Sequence, residues 1–152
     1  MVTPDFDIIA AVQKADRVLP YLALLLWTVF LYFPAVSQPF VYDDKMQILN
    51  NPRFQSFHAA TEFVRRSMEF AQEYETQTSA FYRPVFWMSL FADWRIWGPH
   101  PEGFHAFNIA LHCLNGVLVF LLFRRWFVPL VALFGALAWL SLPIHSAVVA
   151  WI

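Results

Sequence analysis

The strongest constraint on the fold is an uncharged run of nineteen residues, VLPYLALLLWTVFLYFPAV, at 18–36. At 1.5 Å per residue, a helix of this length extends about 28 Å, which matches the hydrocarbon core of a bilayer. Only 14% of the residues are charged, whereas soluble domains contain about 25%. The run therefore predicts a transmembrane helix, and the composition predicts an all-α, polytopic membrane protein.

A cleaved signal peptide is the alternative interpretation of this run, since Ala35-Val36-Ser37 resembles a cleavage site. The apolar part of a signal peptide is usually about 7–15 residues long and follows a positively charged start. This run is longer, and Asp5 and Asp7 precede it. These features favour a membrane helix that is retained.

Two more apolar runs follow, at 103–123 and 129–152, joined by a short turn at 124–128. Both are long enough to cross a bilayer. Proline removes a helical hydrogen bond, so we expect Pro143 to break the last run and the segment after it to re-enter the outer surface. The chain ends within this run, which suggests the N-terminal part of a longer protein.

Four basic residues lie next to the apolar runs, in the segments 1–17 and 124–128, and they fall on one side of the membrane if both segments do. Cytoplasmic loops of membrane proteins are enriched in lysine and arginine. We therefore predict that residues 1–17 and 124–128 are cytoplasmic and that the loop 37–102 is extracytoplasmic. The residues on which this topology depends are Lys14, Arg17, Arg124 and Arg125.

The loop 37–102 contains 8 of the 11 acidic and 6 of the 10 basic residues. Within it, Phe57–Tyr74 and Tyr82–Trp97 have aromatic residues at helical spacing, interrupted by charges. Amphipathic helices with aromatic anchors lie along a membrane interface. We predict two such helices, with burial in a protein core as the alternative.

Two adjacent carboxylates, Asp43 and Asp44, begin this loop. Neighbouring side chains point about 100° apart on a helix and to opposite faces of a strand. The two acids therefore cannot easily act on one atom, so one is available for chemistry while the other holds the loop. The structural alternative is that Asp44 caps a helix, with Gln47 completing a capping box.

A polar stripe runs along the predicted helix 103–123, where His105, Asn108, His112 and Asn115 recur at helical spacing. Polar residues within a membrane helix face other helices or a cavity. For the last three we favour hydrogen bonds between helices. His105 lies at the loop end, level with the acidic pair, so packing and site lining are equally consistent with its position.

Two function classes are disfavoured by charge and cysteine content. A net charge of −1 indicates no nucleic-acid partner, and the single cysteine, Cys113, provides neither a disulfide framework nor a thiolate metal site.

Four sequence blocks occur in the order found in one enzyme family: FVYDDKMQILNNP, FYRPVFWMSLFADWRIWG, PEGFHAFNIALHCLNGVLVFLL and LPIHSAVVAWI. Over about residues 18–152 the chain resembles the N-terminus of GT-C membrane glycosyltransferases, in particular the TPR-containing O-mannosyltransferases and their bacterial relatives. The resemblance implies a polytopic helical bundle with interfacial helices in its first outer loop. It also implies an integral protein of a bacterial inner membrane or of the ER membrane.

The implied reaction transfers a sugar of the mannose type from a polyprenyl-phosphate carrier to a protein or glycan hydroxyl on the outer membrane face, usually with inversion. The partners are then membrane lipid, the lipid-linked sugar and the acceptor. The resemblance implies no definite cofactor, with a divalent metal as the disfavoured alternative. The matching positions suggest Asp43 as base and Asp44 as its orienting neighbour, although the reverse order is open. Arg83, in the YRP block, is the first candidate for binding the carrier phosphate. The other candidates are Arg65 and Arg66 for the phosphate, and Tyr82, His105 and His145 for lining the site.

The last block departs from the family pattern, because Leu142 and Ala147 stand where a His and a Glu are expected. The departure indicates a different acceptor or reduced activity. A metal-dependent, oligosaccharyltransferase-like enzyme is a second enzymatic alternative, but this stretch offers no further acid to complete a metal site. The non-enzymatic alternative is a transporter or assembly subunit. We expect residues 1–152 alone to be inactive, since three spans are too few to enclose the donor.

Overall fold

The computed structural model describes residues 6–41, 44–50 and 84–152. Every regular element within those ranges is helical, which confirms the predicted all-α class. The α-helices there are α1 (Phe6–Tyr32), α2 (Pro84–Trp97), α3 (Pro101–Phe123), α4 (Pro129–Leu140) and α5 (Ile144–Ala150). A 3₁₀ turn spans Phe33–Ser37 and a π-helical turn spans Lys45–Leu49.

Two segments of the described chain are long and apolar enough to cross a membrane, Val18–Ser37 and Pro101–Phe123. A third candidate is formed by α4 and α5 together, which are bent by 66° at the break between them. Large apolar side chains such as Leu26, Phe30 and Leu130 are exposed on these helices. Exposed apolar surface of this extent suits lipid and does not suit water. The chain is therefore an integral membrane protein.

Proline and glycine set several helix boundaries. Proline is well placed at the first position of a helix, where its missing N–H would have no partner within the helix, and α2, α3 and α4 all begin with it. Pro34 cannot donate a helical hydrogen bond, and α1 gives way to the 3₁₀ turn around it. Gly98 ends α2 with φ 61°, and its N–H bonds the Trp94 carbonyl at 2.8 Å. This left-handed residue is a common helix C-terminus that glycine adopts without strain.

The break between α4 and α5 lies at residues 141–143, so the predicted disruption near Pro143 is confirmed. The Leu142 N–H bonds the Trp139 carbonyl, and the His145 N–H bonds the Leu142 carbonyl, both within 3.1 Å. These shorter-range hydrogen bonds turn the chain through the break.

The described chain divides into two compact units, Met1–Val36 with Asn108–Trp151, and Ser37–Phe107 with Ile152. In the first unit, α1 packs on α4 and α5. Its core contains Leu24, Phe120, Ala132, Ala136 and Leu140. Small residues let membrane helices approach closely. A Cβ atom added at Gly116 would lie 2.7 Å from a Leu140 methyl group, so a larger residue there would require the Leu140 side chain to shift.

In the second unit, the core contains Phe40, Ile48, Leu90 and Phe104. The rings of Phe40 and Phe104 meet edge to face with 5.4 Å between their centroids. One face of α2 is buried through Leu90, while Val85, Met88 and Ile96 are exposed. The helix predicted at Tyr82–Trp97 is thus present from Pro84, with apolar side chains also on its exposed side. Its position at a membrane interface stays a prediction.

Candidate functional site

The structure describes three of the predicted site residues, Asp44, His105 and His145. Five others lie outside the described residues: Asp43, Arg65, Arg66, Tyr82 and Arg83. The predicted helix Phe57–Tyr74 also lies outside them.

Asp44 is 8% exposed and closes a tight turn with Val41. The Val41 N–H donates to the Asp44 Oδ2 at 3.1 Å, and the Asp44 N–H donates to the Val41 carbonyl at 3.0 Å. This reciprocal pair of hydrogen bonds holds both ends of the segment 41–44. The carboxylate therefore stabilises the backbone from which the acidic pair starts.

The capping interpretation of Asp44 is wrong. Its backbone is already helical, with φ −58° and ψ −37°, and its side chain makes no capping hydrogen bond. A capping side chain normally belongs to a residue outside helical geometry, from which it reaches forward to N–H groups in the first turn. The Asp44 carboxylate instead bonds backward to Val41.

The turn after Asp44 is π-helical, and the Asn50 N–H bonds the Lys45 carbonyl five residues earlier, at 2.9 Å. Isolated π-turns occur frequently at functional sites. Ile48, the fourth residue of this turn, is buried in the core of the second unit. The acidic segment is thus followed by an apolar residue that packs in the core of the second unit.

His105, near the start of α3, is 2% exposed, and its Nε2 lies 3.1 Å from the Gln38 carbonyl oxygen. Since a carbonyl only accepts, Nε2 carries the hydrogen and Nδ1 carries the lone pair. The Nδ1 atom is buried and has no hydrogen-bond partner within the described chain. The carboxylates of Asp44 and Glu102 lie near enough to act electrostatically on this ring. His105 and Asp44 both belong to the second unit.

Asp93, on α2, is a buried acid. In the sequence it is one of the charges that interrupt the aromatic spacing of the helix predicted at Tyr82–Trp97. It is 5% exposed, and burial raises its pKa to about 6 from the ordinary value of 3.8. Within the described chain, no hydrogen bond or ion pair to its carboxyl group is present. In the sequence, Asp93 stands beside Trp94 and three residues after Leu90. Residues three apart share one face of a helix, so this spacing is the one sequence feature that indicates burial of Asp93.

In the first unit, His145 belongs to an aromatic cluster with Trp139 and His112. Ring centroids are 4.4 Å apart for His145 and Trp139, and 5.0 Å apart for His145 and His112. The His145 Nε2 is buried with no hydrogen-bond partner among the described residues. Leu142 and Ala147, at the two positions that depart from the family pattern, are both exposed.

Polar side chains bind the carbonyl groups left at helix ends in this unit. The Leu140 carbonyl accepts from the Tyr32 hydroxyl at 3.1 Å and lies 3.4 Å from the His112 Nε2. The Asn108 Nδ2 donates to the Trp151 carbonyl at 2.8 Å. For His112 and Asn108, the prediction of hydrogen bonds between helices is confirmed.

Metal ligation requires several donor side chains that converge. Within the described part of the chain, no three His, Cys, Asp or Glu side chains form such a group.

No protein-family model matches the chain, and no solved structure matches it significantly. A curated protein of Drosophila melanogaster, described as protein O-mannosyl-transferase Tmtc1, is 27% identical to it over 121 residues. The match covers 79% of this chain but only 14% of the Drosophila protein, so the chain spans a small part of that relative's length. The chain is thus similar, at a distance, to an O-mannosyl-transferase.

Proposed function

We propose that the chain is part of a membrane glycosyltransferase of the GT-C type, which moves a mannose-like sugar from a polyprenyl-phosphate carrier to a protein or glycan hydroxyl. The observation that carries the proposal is the pair of hydrogen bonds between Val41 and Asp44, in which the Asp44 carboxylate is buried. This turn gives the Asp44 carboxylate a structural task, and the neighbouring carboxylate in the sequence, Asp43, is therefore our candidate for the chemistry. The distant similarity to Tmtc1 supports the reaction class.

In this proposal, Asp43 is the general base. The acceptor hydroxyl gives its proton to the Asp43 carboxylate while its oxygen attacks the anomeric carbon of the sugar. The bond from that carbon to the carrier phosphate oxygen breaks, the phosphate leaves with the electron pair, and the configuration inverts. A phosphate is a good leaving group and needs little protonation, so one carboxylate suffices. Glycosidases require a second acid because their leaving group is poorer.

The carrier phosphate needs cations, and Arg83 is the first candidate. A guanidinium group binds phosphate through two parallel hydrogen bonds. Pro84, which follows Arg83 in the sequence, begins α2. Arg65 and Arg66 are the second candidates. We place this chemistry on the extracytoplasmic face, because the basic residues flanking the spans favour a cytoplasmic location for residues 1–17 and 124–128.

The test is a transfer assay on the full-length protein with radiolabelled polyprenyl-phosphate sugars. Asp43→Asn should reduce transfer about 10²–10⁴-fold, because an amide cannot accept the proton. Asp44→Asn should be milder, since the Asn side-chain oxygen can still accept the Val41 N–H. Asp44→Ala removes that acceptor and should reduce transfer more than Asp44→Asn does.

Expression and membrane insertion are the controls and should stay unchanged in all three variants. Normal transfer by Asp43→Asn together with an inactive Asp44→Asn would exchange the two roles. Normal transfer by both asparagine variants would refute catalysis by this pair and favour the non-enzymatic alternative, a transporter or assembly subunit.

A further inference from the structure

The segment that leads to the acidic pair is held at both ends within the second unit. At its start, the Gln38 carbonyl is bonded to His105. At its end, Asp44 and Val41 close the turn. Between them, the ring of Phe40 is buried against that of Phe104. Two consecutive residues of α3, Phe104 and His105, therefore contact this segment.

We propose that His105 is a positioning residue for the acidic pair. By donating from Nε2 to the Gln38 carbonyl, it holds the stretch of chain that leads to Asp43 and Asp44. The inference rests on the proposed transferase function and adds to it a residue that acts through the backbone, without contact to the substrate.

Chain geometry shows why such an anchor matters. Asp43 lies five positions after Gln38 in the sequence, and an extended chain spans up to about 17 Å over five such steps. A general base must lie within about 3 Å of the proton it removes. The hydrogen bonds between Val41 and Asp44 hold the backbone locally at the acidic pair. They do not fix where this segment lies relative to α3. The bond from His105, together with the Phe40–Phe104 contact, supplies that position.

The hydrogen bond also defines which substitutions are informative. Only the hydrogen on Nε2 is needed, since Nδ1 has no partner among the described residues. A glutamine side chain can present an N–H near the place of Nε2, whereas asparagine is one methylene shorter and does not reach it. Leucine removes the donor and keeps an apolar volume of similar size.

The experiment compares His105→Gln, His105→Asn and His105→Leu in the full-length protein, with His100→Gln as the matched control. His100 is exposed, on the loop before α3. We measure kcat and KM for the lipid-linked donor, and hydrogen–deuterium exchange in peptides covering residues 38–50. His105→Leu should lower kcat by about 10- to 100-fold, since a misplacement near 1 Å has effects of this order. KM should change less than about threefold, because the donor-binding groups remain.

Rescue by the conservative variant separates positioning from a purely structural role. His105→Gln should recover most of kcat and keep exchange near the wild-type rate, while His105→Asn and His105→Leu should both raise exchange in residues 38–44. His100→Gln should match the wild type. If His105→Leu does not insert stably into the membrane, the differences in kcat and in exchange between His105→Gln and His105→Asn decide whether His105 positions this segment.

A wild-type kcat in His105→Leu would overturn the inference. An equal loss of kcat in all three variants, with no change in exchange, would also overturn it and would assign the Nδ1 atom a direct role with the substrate. If the wild-type protein transfers no sugar, the proposed function fails. The exchange measurements then still decide whether His105 holds this segment.

Discussion

Replacing Asp93 by asparagine should make the protein more stable at neutral and alkaline pH. The Asp93 carboxyl is buried and its pKa is raised from 3.8 to about 6. The folded protein therefore holds this proton over a pH range in which the unfolded chain has released it. A raised acid pKa lowers stability as pH rises from the unfolded value through the folded value.

The size of the effect follows from the two pKa values. Their difference corresponds to roughly 3 kcal/mol of lost stability once the pH is well above 6. About half of that loss is already present at pH 5, so the change between pH 5 and pH 8 is about 1.4 kcal/mol. Asparagine carries no charge at either pH, so Asp93→Asn should remove this pH-dependent part.

The assay is thermal unfolding of the protein in detergent micelles at pH 5 and pH 8. The gain in stability from Asp93→Asn should be about 1.4 kcal/mol larger at pH 8 than at pH 5, which corresponds to a few degrees in Tm. Glu102→Gln is the matched control, because it makes the same change from acid to amide at an exposed position. An equal loss of stability at both pH values would refute the reasoning, since the Asp93 carboxylate would then be charged and stabilised in the folded protein.

The remaining predictions concern donor binding, topology and the break between α4 and α5. Arg83→Ala should weaken donor binding about 30- to 150-fold through loss of a charge-assisted contact, and an unchanged donor KM would transfer this role to Arg65 or Arg66. In a Cys113→Ser background, Glu75→Cys should react with a membrane-impermeant reagent from the extracytoplasmic side, and labelling from the cytoplasmic side alone would contradict the topology. Tyr32→Phe should destabilise the protein by about 1 kcal/mol, measured by thermal unfolding, because the Leu140 carbonyl loses one of its two donors. No change in Tm would show that the remaining donor, His112, is sufficient.

Much of the architecture is encoded locally and could be predicted from the sequence. The uncharged runs are long enough to cross a bilayer, and the spans found at Val18–Ser37 and Pro101–Phe123 follow them within a few residues. Proline acts on its own backbone, so the helix starts at Pro101 and Pro129 and the break near Pro143 depend on local chemistry.

Part of the candidate site was also visible in the sequence. The adjacent acids stand out because carboxylates are rare in this chain, and spacing alone placed His105 at the loop end of its helix. The polar stripe on α3 predicted contacts between helices, which His112 and Asn108 make.

Only the tertiary structure decided what the buried polar groups do. The structural alternative for Asp44 in the sequence was a forward cap, whereas its carboxylate accepts a hydrogen bond from Val41, earlier in the chain. Periodicity marked Asp93 as an interruption of an amphipathic helix, whereas it lies on the buried side. The partner of His105 is a backbone carbonyl 67 residues earlier in the chain, at Gln38. Every residue carries such a carbonyl, so composition and spacing contain no information about which one a side chain will meet. Helices form through hydrogen bonds between near neighbours, but a distant donor and acceptor are paired only by packing.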